Sequence, residues 1–84
     1  MKDVTVYTTD HCSLCVSAKA LLERRGIGYR EINLARDPDG RTKLQRVTGM
    51  FSFPQVMIGC DVIGGFTELV AADREGRLTG LLAA

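Results

Sequence analysis

Two cysteines separated by two residues, Cys12 and Cys15, carry the clearest chemistry in this chain of 84 residues. At this spacing two thiols can close a small disulfide loop and open it again, which is the chemistry of thiol–disulfide exchange. A thiol at a helix N-terminus meets unpaired backbone N–H groups and the positive end of the helix dipole. Both favour the thiolate, which is the nucleophilic form of cysteine. The pair therefore predicts a redox site rather than a structural disulfide.

The segments on either side of the pair predict a strand that leads into a helix. Residues 3–8 are β-branched and aromatic with an alternation of period two, as in a strand. The following segment predicts an amphipathic helix, because it carries at helical spacing Leu14, Ala18, Leu21, Leu22 and Arg25. The two thiols are thus expected at the N-terminus of this helix.

Glycine and proline divide the rest of the chain into short elements. In order, we predict the end of the first helix at Gly26, a strand over 29–34, a helix over 38–48, a hairpin of strands 54–58 and 62–64, and a helix over 67–75. Asp37 and Thr67 are the predicted N-caps of the second and last helices. The expected order is β-α-β-α-β-β-α, with a parallel, right-handed βαβ unit and an antiparallel hairpin at the edge.

Composition and charge narrow the possible function classes. The length suits a single domain of residues 1–84. Eleven basic and ten acidic residues give a net charge of +1 without a basic stripe, so nothing favours nucleic-acid binding. No apolar run approaches the length of a membrane span or a signal peptide. Three cysteines without an export signal favour a reducing compartment, so we expect a cytoplasmic protein and, by default, a monomer.

Motifs along nearly the whole chain resemble the bacterial dithiol glutaredoxins. In chain order they are Tyr7-Thr8 with Cys12-x-x-Cys15, Ala18-Lys19-Ala20-Leu21-Leu22, Phe53-Pro54-Gln55, Ile63-Gly64-Gly65 and the segment 73–78. The resemblance implies an α/β protein with the small thioredoxin fold, in which a four-stranded mixed sheet is flanked by three helices. It also implies a glutathione-dependent thiol–disulfide oxidoreductase. Such a protein uses glutathione as co-substrate, acts on protein disulfides or glutathione mixed disulfides, and needs neither a metal site nor a tightly bound cofactor.

The resemblance assigns roles to the thiols and to the proline motif. Cys12 matches the nucleophile, and Cys15 matches the resolving thiol that attacks a mixed disulfide on Cys12. Pro54 matches the cis-proline of the family. The residue before it, Phe53, is then expected to offer its backbone N–H and C=O to the substrate, as an added strand would.

A loop and an arginine match the glutathione-binding residues of the family. The segment Gly64-Gly65-Phe66-Thr67 matches the loop in which backbone amides, chiefly around Gly65, Phe66 and Thr67, hold the γ-glutamyl carboxylate, an anion at a helix N-terminus. Arg41 falls where the family often places a cation for the glycine carboxylate of glutathione. A solvated surface arginine is the alternative interpretation of that residue.

The sequence also departs from the family pattern close to the thiols. Ser13-Leu14 stands where family members usually have Pro-Tyr, and Thr9 stands where many have lysine, so weaker glutathione binding is expected. His11 is a candidate thiolate modulator, since an imidazolium beside a thiolate stabilises it, and the alternative is an exposed loop histidine. Cys60, at the tip of the predicted hairpin, is expected to be a bystander.

Two other functions stay open at this point. The first is a redoxin reduced by a flavoenzyme of the thioredoxin-reductase type, which the missing lysine and tyrosine favour and the Gly-Gly loop disfavours. The second is a carrier of a [2Fe–2S] cluster shared between two protomers, which is compatible with the loss of the proline after Cys12. A structural zinc site is disfavoured, because it needs about four N or S ligands.

Overall fold

Four short strands form one mixed sheet in the computed structural model, which describes residues 2–83. In chain order they are β1 (Val4–Thr8), β2 (Arg30–Asn33), β3 (Gln55–Ile58) and β4 (Asp61–Gly64). Their order across the sheet is β2-β1-β3-β4. β1 is parallel to β2 and antiparallel to β3, and β4 is antiparallel to β3. The predicted sheet is confirmed, although β2 is shorter than the predicted strand.

Four helices accompany this sheet in residues 2–83, rather than the predicted three. They are α1 (Ser13–Arg24), α2 (Pro38–Thr48), α3 (Phe66–Arg74) and α4 (Arg77–Ala83). The unpredicted α4 follows directly after Gly76, whose φ is +72°. A glycine with positive φ ends a helix, here α3. A new helix, α4, forms directly after it because Leu78 and Leu82 are buried against the core. Tertiary packing stabilises this helix of 7 residues, which is too short to be stable alone.

The ends of α1 and α2 follow local capping rules, as predicted. Past the end of α1, Gly26 has a φ of +68°, and the Ile27 N–H donates to the Leu22 carbonyl at 2.9 Å, as in a Schellman cap. At the start of α2, an Asp37 carboxylate oxygen accepts from the Gly40 N–H at 2.9 Å. Gly49 closes α2 in the left-handed conformation.

The start of α3 differs from the prediction, which placed Thr67 at the N-cap. Gly65 is the N-cap, and its N–H donates to Glu68 Oε1 at 2.7 Å. Thr67 instead lies inside the first turn. The reason is that Glu68, three residues after Gly65, supplies the reciprocal half of a capping box. Gly64 precedes this cap with a φ of +123°, and a Cβ built there would lie 2.9 Å from the Glu68 Cβ.

One face of the sheet carries the main hydrophobic core, against α1, α3 and α4. Its buried members are Val4, Val6, Ala18, Leu21, Leu22, Val56, Ile58, Leu69, Ala72, Leu78 and Leu82. Leu14, predicted on the inner face of α1, is 50% exposed. The buried stripe of α1 instead begins one residue later, at Cys15, and continues through Ala18, Leu21 and Leu22. None of the helices within residues 2–83 is long and apolar enough to cross a lipid bilayer.

Candidate active site

The Cys12–Cys15 pair lies where β1 is followed by α1, as predicted. Cys12 is the N-cap of α1, and its Sγ accepts a hydrogen bond from the Cys15 backbone N–H at 3.1 Å. The two sulfurs form a disulfide with a Cα–Cα separation of 5.2 Å, within the usual range. Cys12 is half-buried, whereas Cys15 is only 2% exposed. In the reduced pair the Cys12 sulfur is therefore the one that solvent and a substrate can reach.

The same geometry favours ionisation of the reachable sulfur. The first turn of α1 directs N–H groups without helical partners at the position of the Cys12 sulfur. A thiolate there keeps the hydrogen bond from Cys15 N–H and gains the favourable field of the helix N-terminus. Nucleophilic attack by Cys12, followed by resolution from the buried Cys15, is the chemistry that this arrangement supports.

His11 immediately precedes the pair in an unusual backbone conformation. Its φ is +54°, in the left-handed region that histidine tolerates better than most residues other than glycine. The side chain is exposed to solvent. Its suggested influence on the Cys12 thiolate stays a prediction.

Pro54 lies next to the end of β1 that leads to Cys12. The Phe53–Pro54 peptide bond is cis, as predicted. In the antiparallel pairing of β1 and β3, Tyr7 is opposite Gln55, so Pro54 follows on beside Thr8. Pro54 is buried and Phe53 is half-buried. The docking role predicted for the Phe53 backbone therefore has a position beside the thiols.

The loop before α3 reaches the same end of the sheet. Gly64 pairs with Val56 near the start of β3, and a Cβ built on Gly65 would lie 3.5 Å from the Pro54 carbonyl oxygen. The Gly65 N–H is occupied by Glu68. The N–H groups of Phe66 and Thr67, in the first turn of α3, have no partner within the helix and can bind an anion.

Arg41 lines a cleft of about 370 Å³ that extends from α2 to the proline segment. Phe53 and Gln55 line the same cleft. One guanidinium nitrogen of Arg41, Nη1, donates to the carbonyls of Leu34 and Ala35 at 2.6 and 2.9 Å. Arg41 therefore holds the loop before α2, and only its other N–H groups remain for a carboxylate in the cleft.

Two polar groupings at this end of the sheet were not predicted from the sequence. Thr8, only 1% exposed, donates from its hydroxyl to Glu31 Oε2 at 2.8 Å, and Lys19 Nζ contacts the same carboxylate at 3.1 Å. The bond from Thr8, and to a lesser degree Lys19, lowers the pKa of Glu31 despite its partial desolvation.

Gln55, also 1% exposed, donates to two loop carbonyls. A polar residue directly after Pro54 on a predicted inner strand was the available signal for Gln55.

Cys60 lies far from these groups. It is an exposed free thiol in the turn between β3 and β4. The pairing of Ile58 with Val4 places that turn at the opposite end of the sheet from Pro54. Within residues 2–83, no group of three or more His, Cys, Asp or Glu side chains is placed to hold a metal ion.

Known proteins resemble this chain in sequence and in fold over at least 98% of its length. The glutaredoxin family model matches residues 4–63. A glutaredoxin of Pseudomonas aeruginosa is 40% identical over 84 residues, which is 100% of both chains. A glutaredoxin structure from Brucella melitensis is 41% identical, with a TM-score of 0.86, and the match covers 98% of this chain and 89% of that one. A buckwheat glutaredoxin, solved as a glutathione complex, has a TM-score of 0.88 at 29% identity, over 98% of this chain and 77% of that one. This chain therefore belongs to the glutaredoxin family of thiol–disulfide oxidoreductases.

Proposed function

We propose that this protein uses glutathione to reduce glutathione mixed disulfides and protein disulfides, with Cys12 as nucleophile and Cys15 as resolving thiol. The observation that carries the proposal is the convergence of three features at one end of the sheet. These are the half-buried residue Cys12, the Phe53–Pro54 segment and the first turn of α3. The buckwheat relative, solved with glutathione, supports glutathione as the ligand.

Reduction of a glutathione mixed disulfide needs Cys12 alone among the protein thiols. The Cys12 thiolate attacks the glutathione sulfur, the disulfide bond breaks, and the substrate protein leaves as a thiolate that takes up a proton. A second glutathione thiolate then attacks the Cys12–glutathione disulfide. Oxidised glutathione leaves, and Cys12 returns to the thiolate.

Reduction of a protein disulfide uses both thiols. Cys12 attacks one substrate sulfur and forms a mixed disulfide with the protein, and the other substrate sulfur leaves as a thiolate. Cys15 then attacks Cys12, which releases the reduced protein and leaves the Cys12–Cys15 disulfide observed here. Two glutathione molecules return this disulfide to two thiols and form one molecule of oxidised glutathione.

Glutathione is held mainly by backbone groups in this proposal. The Phe66 and Thr67 N–H groups bind the γ-glutamyl carboxylate, and the Phe53 backbone pairs with the cysteinyl residue of glutathione. The free N–H groups of Arg41 face the glycine carboxylate. Because Thr9 and Leu14 supply neither a cation nor an aromatic ring, we infer that binding at this end is weak.

A comparison of two reducing systems tests the proposal. The oxidised protein is supplied either with glutathione, glutathione reductase and NADPH, or with thioredoxin reductase and NADPH, and NADPH consumption is followed with a glutathionylated peptide as substrate. We expect turnover in the first system and little in the second. Rapid reduction by thioredoxin reductase alone would replace this proposal with the redoxin alternative. Visible absorption after anaerobic purification would favour the [2Fe–2S] alternative.

We further propose that the protein acts as a monomer in the cytoplasm.

A further inference from the structure

We propose that Gln55 is a positioning residue that holds the segment before Pro54 in the conformation that docks the substrate. The inference rests on the proposed function, in that it assigns substrate docking to the Phe53 backbone. It concerns a side chain to which neither the sequence motifs nor the chemistry of the thiols assigns a role.

Side-chain hydrogen bonds hold the connection from α2 to β3. This connection, residues 49–54, has no regular secondary structure, so its backbone groups need other partners. Gln55 Nε2 donates to the Met50 carbonyl at 3.1 Å and to the Ser52 carbonyl at 2.9 Å. Thr48 Oγ1 accepts from the Met50 N–H at 3.1 Å. Side-chain hydrogen bonds, chiefly those of Gln55, therefore satisfy backbone groups that helix or sheet hydrogen bonds satisfy elsewhere in the chain.

The orientation of the Gln55 amide shows which atoms matter. Both N–H groups of Nε2 are donated, whereas Oε1 is buried and has no hydrogen-bond partner within residues 2–83. Rotating the amide by half a turn would bring Oε1 against the Met50 and Ser52 carbonyl oxygens, which repel it. The fold thus leaves one acceptor unsatisfied in order to satisfy two loop carbonyls. An apolar residue would fill the same space without this cost, so packing alone does not explain a glutamine here.

The location links this restraint to substrate docking. Gln55 is the first residue of β3 and is 1% exposed, so it is anchored in the sheet, opposite Tyr7 of β1. It binds the carbonyls of Met50 and Ser52, which lie on either side of the 81% exposed Phe51. Ser52 is also the residue directly before Phe53. A rigid strand end thereby fixes the loop that presents the Phe53 peptide group. Loss of the restraint should impair alignment of the substrate disulfide while leaving the reactivity of the Cys12 sulfur unchanged.

Gln55→Met tests this inference, because methionine has nearly the same shape and length and removes both donors. We expect KM for a glutathionylated peptide to rise about tenfold while kcat changes less than about twofold. The alkylation rate of reduced Cys12, measured in a background of Cys15→Ser and Cys60→Ser, should be unchanged. Amide hydrogen exchange in residues 50–53 should become faster.

Ile58→Val serves as the matched control for a merely structural effect. Ile58 is a fully buried residue of the same strand, at the end away from the thiols. The variant should lower the unfolding temperature and leave KM unchanged. If Gln55→Met behaves in the same way, with a lower unfolding temperature and an unchanged KM, Gln55 is a packing residue and the inference is wrong.

Two additions keep the test decisive. Should Gln55→Met fail to fold, Gln55→Asn retains an amide that is too short to reach both carbonyls, and the same rise in KM is expected. Should the wild type lack glutathione-dependent turnover, the proposed function fails by itself. In that case the KM comparison is made with a peptide disulfide and dithiothreitol as reductant, and an unchanged KM there would reject the role of Gln55.

Discussion

Thr8 and Glu31, 23 positions apart in the chain, are joined by a hydrogen bond of 2.8 Å from the threonine hydroxyl to the carboxylate. The bond connects the last residue of β1 to the edge strand β2, and Lys19 of α1 contacts the same carboxylate. Because β1 leads into the loop that carries Cys12 and α1 begins directly after Cys12, these contacts link the two elements that flank the thiols. Charge on Glu31 is therefore part of what holds this end of the sheet.

We expect Glu31→Gln to lower stability at neutral pH and to lose that effect in acid. The pKa of folded Glu31 lies below its unfolded value, chiefly because of the bond from Thr8. The ionised carboxylate therefore stabilises the protein above the unfolded pKa of about 4.3, and this contribution is lost as pH falls through the lower folded pKa. The side chain is 35% exposed, so the effect at pH 7 is about 0.5–1 kcal/mol. Urea unfolding at pH 7 and pH 3.5 measures it.

Glu75→Gln is the control for this measurement, since Glu75 is an exposed residue whose ion pair with Arg77 lies at the surface. It should have little effect at either pH. A destabilisation by Glu31→Gln that is the same at pH 7 and pH 3.5 would show that the charge of Glu31 is not involved.

We expect Cys12→Ser to abolish turnover of every disulfide substrate. Cys15→Ser should retain activity on glutathione mixed disulfides, because glutathione itself resolves the Cys12 intermediate, and should lose most activity on protein disulfides. Initial rates with a glutathionylated peptide and with a disulfide-bonded protein separate the two cases. Equal and complete loss in both variants with the glutathionylated peptide would contradict the assignment of nucleophile and resolving thiol.

Alkylation kinetics should reveal an activated Cys12. The measurement requires Cys15→Ser and Cys60→Ser in the background, since Cys60 is an exposed free thiol. We expect the rate to rise less than about threefold between pH 7 and 9, whereas an ordinary thiol would gain about twentyfold. A steep rise would show that the helix N-terminus does not activate the sulfur.

His11→Asn in the same background then tests the neighbouring imidazole. Asparagine tolerates the positive φ of this position, so the backbone is preserved. If His11 modulates the thiolate, the rate at pH 7 falls about two- to threefold. An unchanged rate would identify it as an exposed loop residue without influence on Cys12.

Thr9→Lys should raise glutathione-dependent activity. It restores a cation close to Cys12, and one charge-assisted hydrogen bond corresponds to roughly a tenfold gain in affinity. The gain should appear as a lower KM for the glutathionylated substrate. Thr9→Met, which has a long side chain without charge, is the control, and an equal gain in that variant would point to apolar contact instead.

Gly64→Ala should destabilise the protein by about 1–3 kcal/mol, because φ is +123° and the new Cβ would meet the Glu68 side chain. Gly80→Ala is the matched control. Gly80 lies in α4, where an added methyl group would meet open space, so alanine should stabilise that helix by about 0.5–1 kcal/mol. Thermal unfolding of both variants measures the contrast, and an unchanged midpoint for Gly64→Ala would contradict the need for glycine before α3.

The sequence by itself determined the features that depend on neighbours within a few positions. Interactions across a single turn explain the contact of Cys12 with Cys15, the N-cap at Asp37 and the end of α2 at Gly49. Alternation in β1 and helical periodicity in α1 are equally local. The motif Phe53-Pro54-Gln55 also sufficed to predict the cis bond through family resemblance.

Only the tertiary structure decided which distant groups meet. Leu14 is exposed although its spacing matches the buried residues of α1, and α4 forms because Leu78 and Leu82 pack into the core. The bond between Thr8 and Glu31 depends on the parallel pairing of β1 with β2. The amide of Gln55 finds its carbonyls because the chain turns back on itself before β3. Hydrogen bonds of this kind depend on strand register and chain reversal, which local propensities do not specify.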